Sequence, residues 1–192
     1  MRKRHRIGIL GGTFNPPHLG HLVLAREVLN KLKLDKVLFI PAYIPPHKKI
    51  KDNNAYLRYR MVLLACKGNS KFEVSKIELE RKTISYSVDT LQKLWNRYGK
   101  DIELFFIIGS DSLDELENWK DIDKILRLAK LIVVNRPGFP VKRVSSKIKQ
   151  IKIPALDISS SMIRDRMRNS KSIRYLVPEL VRKFIIKNKL YK

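Results

Sequence analysis

Two histidines three residues apart follow a pair of glycines near the start of the chain. Residues 11–21 have the sequence GGTFNPPHLGH, in which the histidines are His18 and His21. The apolar residues 7–10 before this segment predict a short buried strand, and residues 22–29 after it predict a helix. A strand, a glycine turn and a helix N-terminus form a binding site for anions, and residues three apart share one helix face. The segment therefore predicts a site for a phosphate ester, in particular a nucleotide, whereas the glycine pair alone would indicate only a tight turn.

A second group of polar residues, at positions 158–164, begins another predicted helix. Its sequence, ISSSMIR, places Ser160 or Ser161 where a side chain can cap the helix and leave N–H groups for phosphate oxygens. Arg164, one turn into the helix, can bind phosphate oxygens with both arms of its guanidinium group. From the residues alone, an ordinary capped helix with solvated arginines is an equally good interpretation.

Three further residues are suited to binding a nucleotide, although each has a simpler explanation. Asp111 follows Gly109 at the end of an apolar run, where it can accept hydrogen bonds from ribose hydroxyls or cap a helix. Lys48 lies in a basic loop after two prolines, where solvated side chains are common. Trp119 can stack on an aromatic ligand or pack as an ordinary core or surface residue. The residues alone leave these alternatives open.

The segments that position these residues alternate between strand-like and helix-like patterns, as in a parallel α/β sheet. The predicted strands are residues 6–10, 36–41, 72–74, 103–108, 131–135 and 151–153. The predicted helices are residues 18–32, 55–67, 87–98, 122–128, 160–168 and 178–188. We therefore predict an α/β fold with a Rossmann-like, doubly wound parallel sheet, in one domain over residues 1–192 whose C-terminal part, from about 157, is mainly helical. In such a sheet the motifs, which follow strands, meet at the carboxyl ends where ligands bind.

The net charge is strongly positive, since 41 lysines and arginines stand against 18 aspartates and glutamates and give +23. Nucleic-acid binding, steering of anionic substrates and a lysine bias from genome composition or a hot habitat are three explanations. Because the cations are spread along the chain, and because no nucleic-acid-binding signature occurs, we favour lysine bias with a contribution from steering.

The sequence predicts a cytoplasmic protein that binds neither membrane nor nucleic acid. No apolar run approaches the ~20 residues of a membrane span, and the apolar segment behind the basic N-terminus is too short for a signal peptide. The single cysteine, Cys66, lies in an apolar helical pattern and is expected in the core.

Residues 11–21 resemble the signature G-T-F-(D/N)-P-x-H-x-G-H of the nucleotidyltransferase superfamily, and residues 158–164 resemble its second signature, I-S-S-(T/S)-x-I-R. The blocks between and after them resemble the bacterial nicotinate mononucleotide adenylyltransferase family over nearly the whole chain. These blocks are IPPHK at 44–48, SYSVDT at 85–90, GSD at 109–111, Trp119 and SIRYLVP at 172–178. The resemblance implies the nucleotidyltransferase type of Rossmann-like fold. It also implies transfer of the adenylyl group of ATP to nicotinate mononucleotide in NAD biosynthesis, by direct attack without a covalent intermediate.

The resemblance implies that His18, His21 and Arg164 are the catalytic residues, which bind the phosphates in the transition state. The residues that it implies for ATP binding are Gly11, Gly12, Thr13, Phe14, His18, His21, Gly109, Asp111, Ile158, Ser159, Ser160 and Arg164. Mg²⁺ is implied as the ion that accompanies ATP, without a metal site formed by the protein.

A second implied group binds nicotinate mononucleotide. It consists of Asn15, Lys48, Tyr86, Ser87 and Trp119. Backbone N–H groups of the Tyr86–Ser87 turn would receive the nicotinate carboxylate, and the tryptophan would stack on the pyridine ring. The chain has Asn15 where many relatives have Asp, and Thr83-Ile84 where relatives often have Gly-Pro, which bears on the shape of the substrate turn.

Three alternatives make different predictions. A pantetheine-phosphate adenylyltransferase or a cytidylyltransferase would share the first signature but lack the 85–90 block and Trp119. A nicotinamide-preferring relative would release pyrophosphate with nicotinamide mononucleotide, and a nucleic-acid-binding protein would show salt-dependent affinity without turnover of ATP. ATP and nicotinate mononucleotide are the expected partners, and the sequence leaves homo-oligomerisation open.

Overall fold

The computed structural model describes residues 4–46, 54–139 and 148–192, apart from the side chain of residue 100. Its strands are β1 (His5–Gly12), β2 (Lys36–Pro41), β3 (Phe72–Val74), β4 (Ile102–Gly109), β5 (Lys130–Val134) and β6 (Ile148–Ile151). Its α-helices are α1 (Leu19–Lys31), α2 (Ala55–Cys66), α3 (Ile77–Arg81), α4 (Ser87–Tyr98), α5 (Ile122–Leu128), α6 (Ser160–Arg168) and α7 (Glu179–Lys187). None of these helices is long and apolar enough to cross a membrane.

Neighbouring strands of the sheet all run parallel, in the order β3-β2-β1-β4-β5-β6. The order reverses between β1 and β4, because the chain winds outward from β1 through β2 and β3 before it crosses to the other side. Leu10 lies beside Ile107 in the register of this pair. The carboxyl ends of β1 and β4 are therefore adjacent at the switch point, which is where such sheets bind ligands. The prediction of a Rossmann-like, doubly wound parallel sheet is confirmed.

Apolar side chains cover both faces of the sheet. Residues 104–108 of β4 are each at most 6% exposed, as expected for a central strand with helices on both sides. Leu91 of α4 and Phe106 belong to the cluster on one face. Val28 of α1 and Ile107 belong to the cluster on the other face. The two layers fix the helix positions around the carboxyl ends of the strands.

The C-terminal segment packs through a third apolar cluster. Met61 of α2, Ile163 of α6 and Ile185 of α7 are buried together in it. Residues 172–185 therefore contribute to this packing. Cys66 is also buried, and burial raises the pKa of its thiol to about 12, in agreement with its predicted place in the core.

Two elements differ from the prediction. β6 spans Ile148–Ile151 and not residues 151–153, because Ile151 pairs with Val134, the last residue of β5, and the chain beyond has no strand beside it. The prediction lacks α3, since a five-residue helix that contains Glu78, Glu80 and Arg81 is too short to show helical periodicity.

Candidate active site

The switch point of the sheet opens into a cavity of about 1320 Å³. Its walls come from the carboxyl ends of β1 and β4, the N-termini of α1, α4 and α6, and the last residues of the chain. All the described residues predicted to bind ATP or the second substrate line this cavity, whereas Lys48 lies outside the described residues. Single small-molecule sites typically occupy ~300–1,000 Å³, so the volume is sufficient for more than one ligand.

His18 and His21 lie together at the N-terminus of α1. His18 is the N-cap residue, and the centroids of the two rings are 3.7 Å apart. The backbone N–H of His18 donates to Nδ1 of His21 at 3.2 Å, which places the proton of a neutral His21 ring on Nε2. His18 is 6% exposed, and burial, with the positive charge of Arg136, lowers its pKa to about 3. The His18 ring is therefore neutral at neutral pH and acts as a hydrogen-bonding group.

Gly20 leaves the space that the His18 ring occupies. A Cβ atom at position 20 would lie 3.0 Å from Nδ1 and 3.1 Å from Cε1 of His18, closer than nearly all Cβ contacts in proteins. A larger side chain at position 20 would therefore crowd the His18 ring, which explains the glycine between the two histidines of the signature. Phe14 supports the neighbouring ring, since the centroids of Phe14 and His21 lie 5.0 Å apart in an edge-on arrangement.

Helix α6 is joined to the loop between β1 and α1. Arg164 donates to the backbone carbonyl of Asn15 at 2.9 Å, and the Ser160 hydroxyl donates to that of Pro16 at 2.8 Å. The hydrogen bond from Arg164 is charge-assisted and that from Ser160 is neutral. Both join residues more than 140 positions apart in the chain. The two signature segments consequently form one structural unit beside the cavity.

The N-cap of α6 is Ser159, whose Oγ accepts a hydrogen bond from the N–H of Met162 at 3.1 Å. The prediction that Ser160 or Ser161 caps this helix is therefore wrong. The Ser160 hydroxyl is engaged with the preceding loop, and Ser161 Oγ accepts a hydrogen bond from Arg164 at 3.2 Å. Ser159 thus caps the helix, Ser160 joins it to the loop, and Ser161 accepts a hydrogen bond from the arginine.

Asp111 borders the cavity just beyond the end of β4. Its carboxylate pairs with the guanidinium group of Arg136, and the alternative that it caps a helix is wrong, because Gly109 is the N-cap of the 3₁₀ turn at 110–112. A Cβ atom at position 109 would collide with this carboxylate, so glycine at this position lets the Asp111 side chain keep its place beside Arg136. Since a carboxylate accepts several hydrogen bonds, the ion pair leaves capacity for hydroxyl donors.

Tyr86, Ser87 and Trp119 form a further part of the wall. Tyr86 is the N-cap residue of α4 and donates its N–H to Ile84 O at 3.1 Å. The N–H of Ser87 stands at the first position of the helix, where N–H groups have no acceptor within the helix. Trp119 is half-buried, and its ring centroid lies 5.8 Å from that of Phe106. A helix N-terminus and an aromatic surface therefore border the same cavity.

Arg58 also lines the cavity, although the sequence analysis did not select it. It is 2% exposed and donates to the carbonyls of Thr13 at 2.7 Å and Tyr43 at 3.0 Å. It thereby joins the loops that follow β1 and β2. A signal existed in the sequence, because Arg58 falls three and four residues before the buried Met61 and Val62, on the apolar face of α2.

Glu78 of α3 is a second lining residue that the sequence analysis missed. It is 7% exposed and accepts a hydrogen bond from Thr90 Oγ1 at 2.6 Å, and burial raises its pKa. Ser85 Oγ accepts the N–H of Tyr43 at 2.9 Å in the same region. These contacts fix the turn before α4, and no periodic pattern could have indicated them because α3 has a single turn.

The residues around the cavity do not form a metal cage. Within the described part of the chain, no three His, Cys, Asp or Glu side chains are grouped so that they could hold a metal ion. Asp111 is paired with Arg136, and Glu78 is bonded to Thr90. Mg²⁺ commonly binds through one or two carboxylates together with substrate phosphates and water. This donor set suits an ion that arrives on a polyphosphate better than one held by protein alone.

Comparisons with known proteins show the family to which the chain belongs. A family model described as cytidylyltransferase-like matches residues 9–166. A probable nicotinate-nucleotide adenylyltransferase of Moorella thermoacetica is 43% identical over 97% of this chain and 92% of its own length. The nicotinate-nucleotide adenylyltransferase of Bacillus subtilis is 42% identical over 97% of this chain and 98% of its own length.

A solved structure shares the fold. Plasmodium falciparum nicotinic acid mononucleotide adenylyltransferase, in complex with NaAD, superposes with a TM-score of 0.79 at 21% identity, over 97% of each chain. Identity above 40% across the full length of the curated relatives goes further than the fold alone. At this identity and coverage, the chain belongs to the nicotinate-nucleotide adenylyltransferase family of nucleotidyltransferases.

Proposed function

We propose that this protein transfers the adenylyl group of ATP to nicotinate mononucleotide, giving nicotinic acid adenine dinucleotide and pyrophosphate. One observation carries the proposal. The N-termini of α1 and α6, joined through Arg164 and Ser160, border the same cavity as the N-terminus of α4 and Trp119. Two helix N-termini suited to phosphate and a wall suited to an aromatic acid border a single space at the switch point, which supports the proposal.

The reaction is a direct displacement at the α-phosphorus of ATP. A phosphate oxygen of nicotinate mononucleotide forms the new P–O bond, while the bond to the oxygen that bridges the α- and β-phosphorus atoms breaks and pyrophosphate leaves with its electron pair. The attacking phosphate monoester has its second pKa near 6 and is largely ionised at neutral pH. No general base is required, so catalysis consists of positioning and of stabilising charge.

The catalytic residues of the proposal are His18, His21 and Arg164. The neutral His18 ring and Nε2–H of His21 provide hydrogen-bonding groups at a helix N-terminus, where phosphate oxygens are favoured. Both terminal nitrogens of the Arg164 guanidinium donate to protein groups, Nη1 to Asn15 O and Nη2 to Ser161 Oγ, which keeps its positive charge beside the same loop. Asp111 is assigned to the ribose of ATP.

Selection of the acid over the amide rests on the turn before α4. The N–H of Ser87, the first residue of α4, favours a carboxylate, because the NH₂ group of nicotinamide would face another donor. The N–H of Tyr86, which the resemblance also implied for the carboxylate, instead donates to Ile84 O. Trp119 offers a ring for the pyridinium, which gains from stacking and cation–π attraction. Lys48, which lies outside the described residues, keeps its predicted role at the phosphates.

Mg²⁺ is proposed to enter with ATP, held by the triphosphate and water, since the cavity residues do not fit a metal cage. The net charge of +23 would raise the local concentration of both anionic substrates. A cytoplasmic location belongs to the same proposal.

The experiment that tests the function measures pyrophosphate release from ATP and Mg²⁺ with nicotinate mononucleotide or nicotinamide mononucleotide as acceptor. A reaction without acceptor controls for ATP hydrolysis. Release that depends on the acid, with much slower release for the amide, is the expected result. Equal rates would retain adenylyl transfer and overturn the account of selection at Ser87, and no release with either acceptor would overturn the function.

A further inference from the structure

The last residues of the chain return to the active-site cavity. Beyond α7, the N–H of Leu190 donates to Ile185 O at 3.1 Å and that of Lys189 donates to Ile186 O at 3.1 Å, which turns the chain away from the helix axis. Leu190 and Tyr191 then pack on the apolar cluster of α2, α6 and α7. Residues 189–192 all line the cavity, far in sequence from every signature segment.

The hydroxyl of Tyr191 donates to the side-chain oxygen Oδ1 of Asn15 at 2.6 Å. Asn15 stands in the loop between the glycine pair and the histidines, and its backbone carbonyl accepts from Arg164 at 2.9 Å. Both ends of this residue are therefore fixed by groups from the C-terminal part of the chain. Met61 Sδ also lies near this hydroxyl, at 4.0 Å from the Tyr191 oxygen.

This contact decides which part of the Asn15 amide serves a ligand. An amide group offers an oxygen acceptor and an NH₂ donor, and the oxygen is engaged by Tyr191. No acceptor among the described residues takes a hydrogen bond from Nδ2. Phosphate oxygens require hydrogen-bond donors. Because the Tyr191 hydroxyl binds Oδ1, it orients the amide plane so that Nδ2 is available to donate. Burial raises the pKa of Tyr191, against the opposing charges of Arg164 and Arg58, so the hydroxyl keeps its proton.

We propose that Tyr191 is a positioning residue that orients the Asn15 side chain so that its NH₂ group donates to a phosphate oxygen during adenylyl transfer. This inference rests on the proposed function for its kinetic consequence, but the contact itself is independent of it. It gives the C-terminal tail a part in the active site besides packing.

A double-mutant cycle on kcat and KM tests the kinetic consequence. The variants are Tyr191→Phe, Asn15→Ala and the two combined, and Tyr175→Phe is the matched control because Tyr175 is 76% exposed and lies away from the cavity lining. One hydrogen bond corresponds to a change of about three- to tenfold, so Tyr191→Phe should lower kcat/KM by that factor. The double variant should be no slower than Asn15→Ala alone, because the tyrosine acts through the asparagine. Losses that multiply, or a Tyr191→Phe variant as active as the wild type, would overturn the inference.

A second measurement needs no activity and so separates this inference from the proposed function. In the background Asn15→Asp, the introduced carboxylate would accept the Tyr191 hydroxyl, which favours its ionised form. Its pKa, measured by NMR titration, should rise by about one unit when Tyr191→Phe is added, and Tyr175→Phe should leave it unchanged. An unchanged pKa after Tyr191→Phe would overturn the inference even if the protein transferred no adenylyl group, whereas failure of the wild type to release pyrophosphate would count against the function only.

Discussion

Burial of His18 makes the stability of the protein depend on pH in a way that can be calculated. The folded-state pKa is about 3, against 6.5 for an unperturbed histidine, because the ring is buried and because Arg136 is near. Between these values the unfolded chain binds a proton at His18 that the folded protein does not. The contribution of His18 to the free energy of unfolding is therefore complete above pH 6.5 and declines as the pH falls.

The magnitude follows from the pKa difference. A pH of 5 is 1.5 units below the unfolded-state pKa of His18 and still above its folded-state pKa. At about 1.4 kcal/mol per pH unit, protonation of His18 in the unfolded state therefore lowers the free energy of unfolding by about 2 kcal/mol. Other groups titrate over the same range, so the relevant quantity is the difference between wild type and His18→Gln. The wild type should lose about 2 kcal/mol more than the variant between pH 8 and pH 5.

Urea unfolding at 25 °C, followed by circular dichroism at pH 8, 6.5 and 5, provides the assay. The substitution His5→Gln is the control, because His5 lies at the exposed start of β1 and outside the cavity lining. Its profile should follow that of the wild type. Parallel profiles for wild type and His18→Gln would contradict the inference that burial keeps His18 neutral.

Further substitutions test other parts of the site. Arg58→Met removes the donor to the half-buried carbonyls of Thr13 and Tyr43 and should lower the free energy of unfolding by about 2–4 kcal/mol in urea. Arg60→Met, on the exposed side of the same helix, should cost below about 1 kcal/mol. Equal losses would contradict the role of Arg58. Arg164→Lys should lower kcat at least about tenfold with little change in stability, because lysine cannot replace the planar fork, and Arg182→Lys on α7 should retain activity. Trp119→Ala should raise the KM for the mononucleotide more than that for ATP, and an equal rise in both would contradict its place at the pyridine ring.

Much of the site could be predicted, because patterns within short segments of the sequence specify its strands, helices and turns. The alternation of strands and helices and the apolar run of β4 predict the parallel sheet, and the positions of the glycine pair and Gly109 after strands place them at its carboxyl edge. His18 and His21 meet because the N-cap residue and the third residue of a helix lie next to each other, where the side chain of the latter can accept the N–H of the former. The roles of these residues in binding ATP and the mononucleotide stay predictions that the kinetic experiments address.

The family, the sheet and the chemical types of the groups at its switch point can be read from the sequence alone, because they follow from motifs and periodicities within single elements. Which groups hold the site together depends on contacts between elements. Arg58 donates to the loops after β1 and β2. Ser160 binds the Pro16 carbonyl and does not cap α6, and Tyr191 holds the Asn15 side chain from the other end of the chain. Such contacts depend on the relative placement of packed elements, and no spacing along the chain encodes that placement.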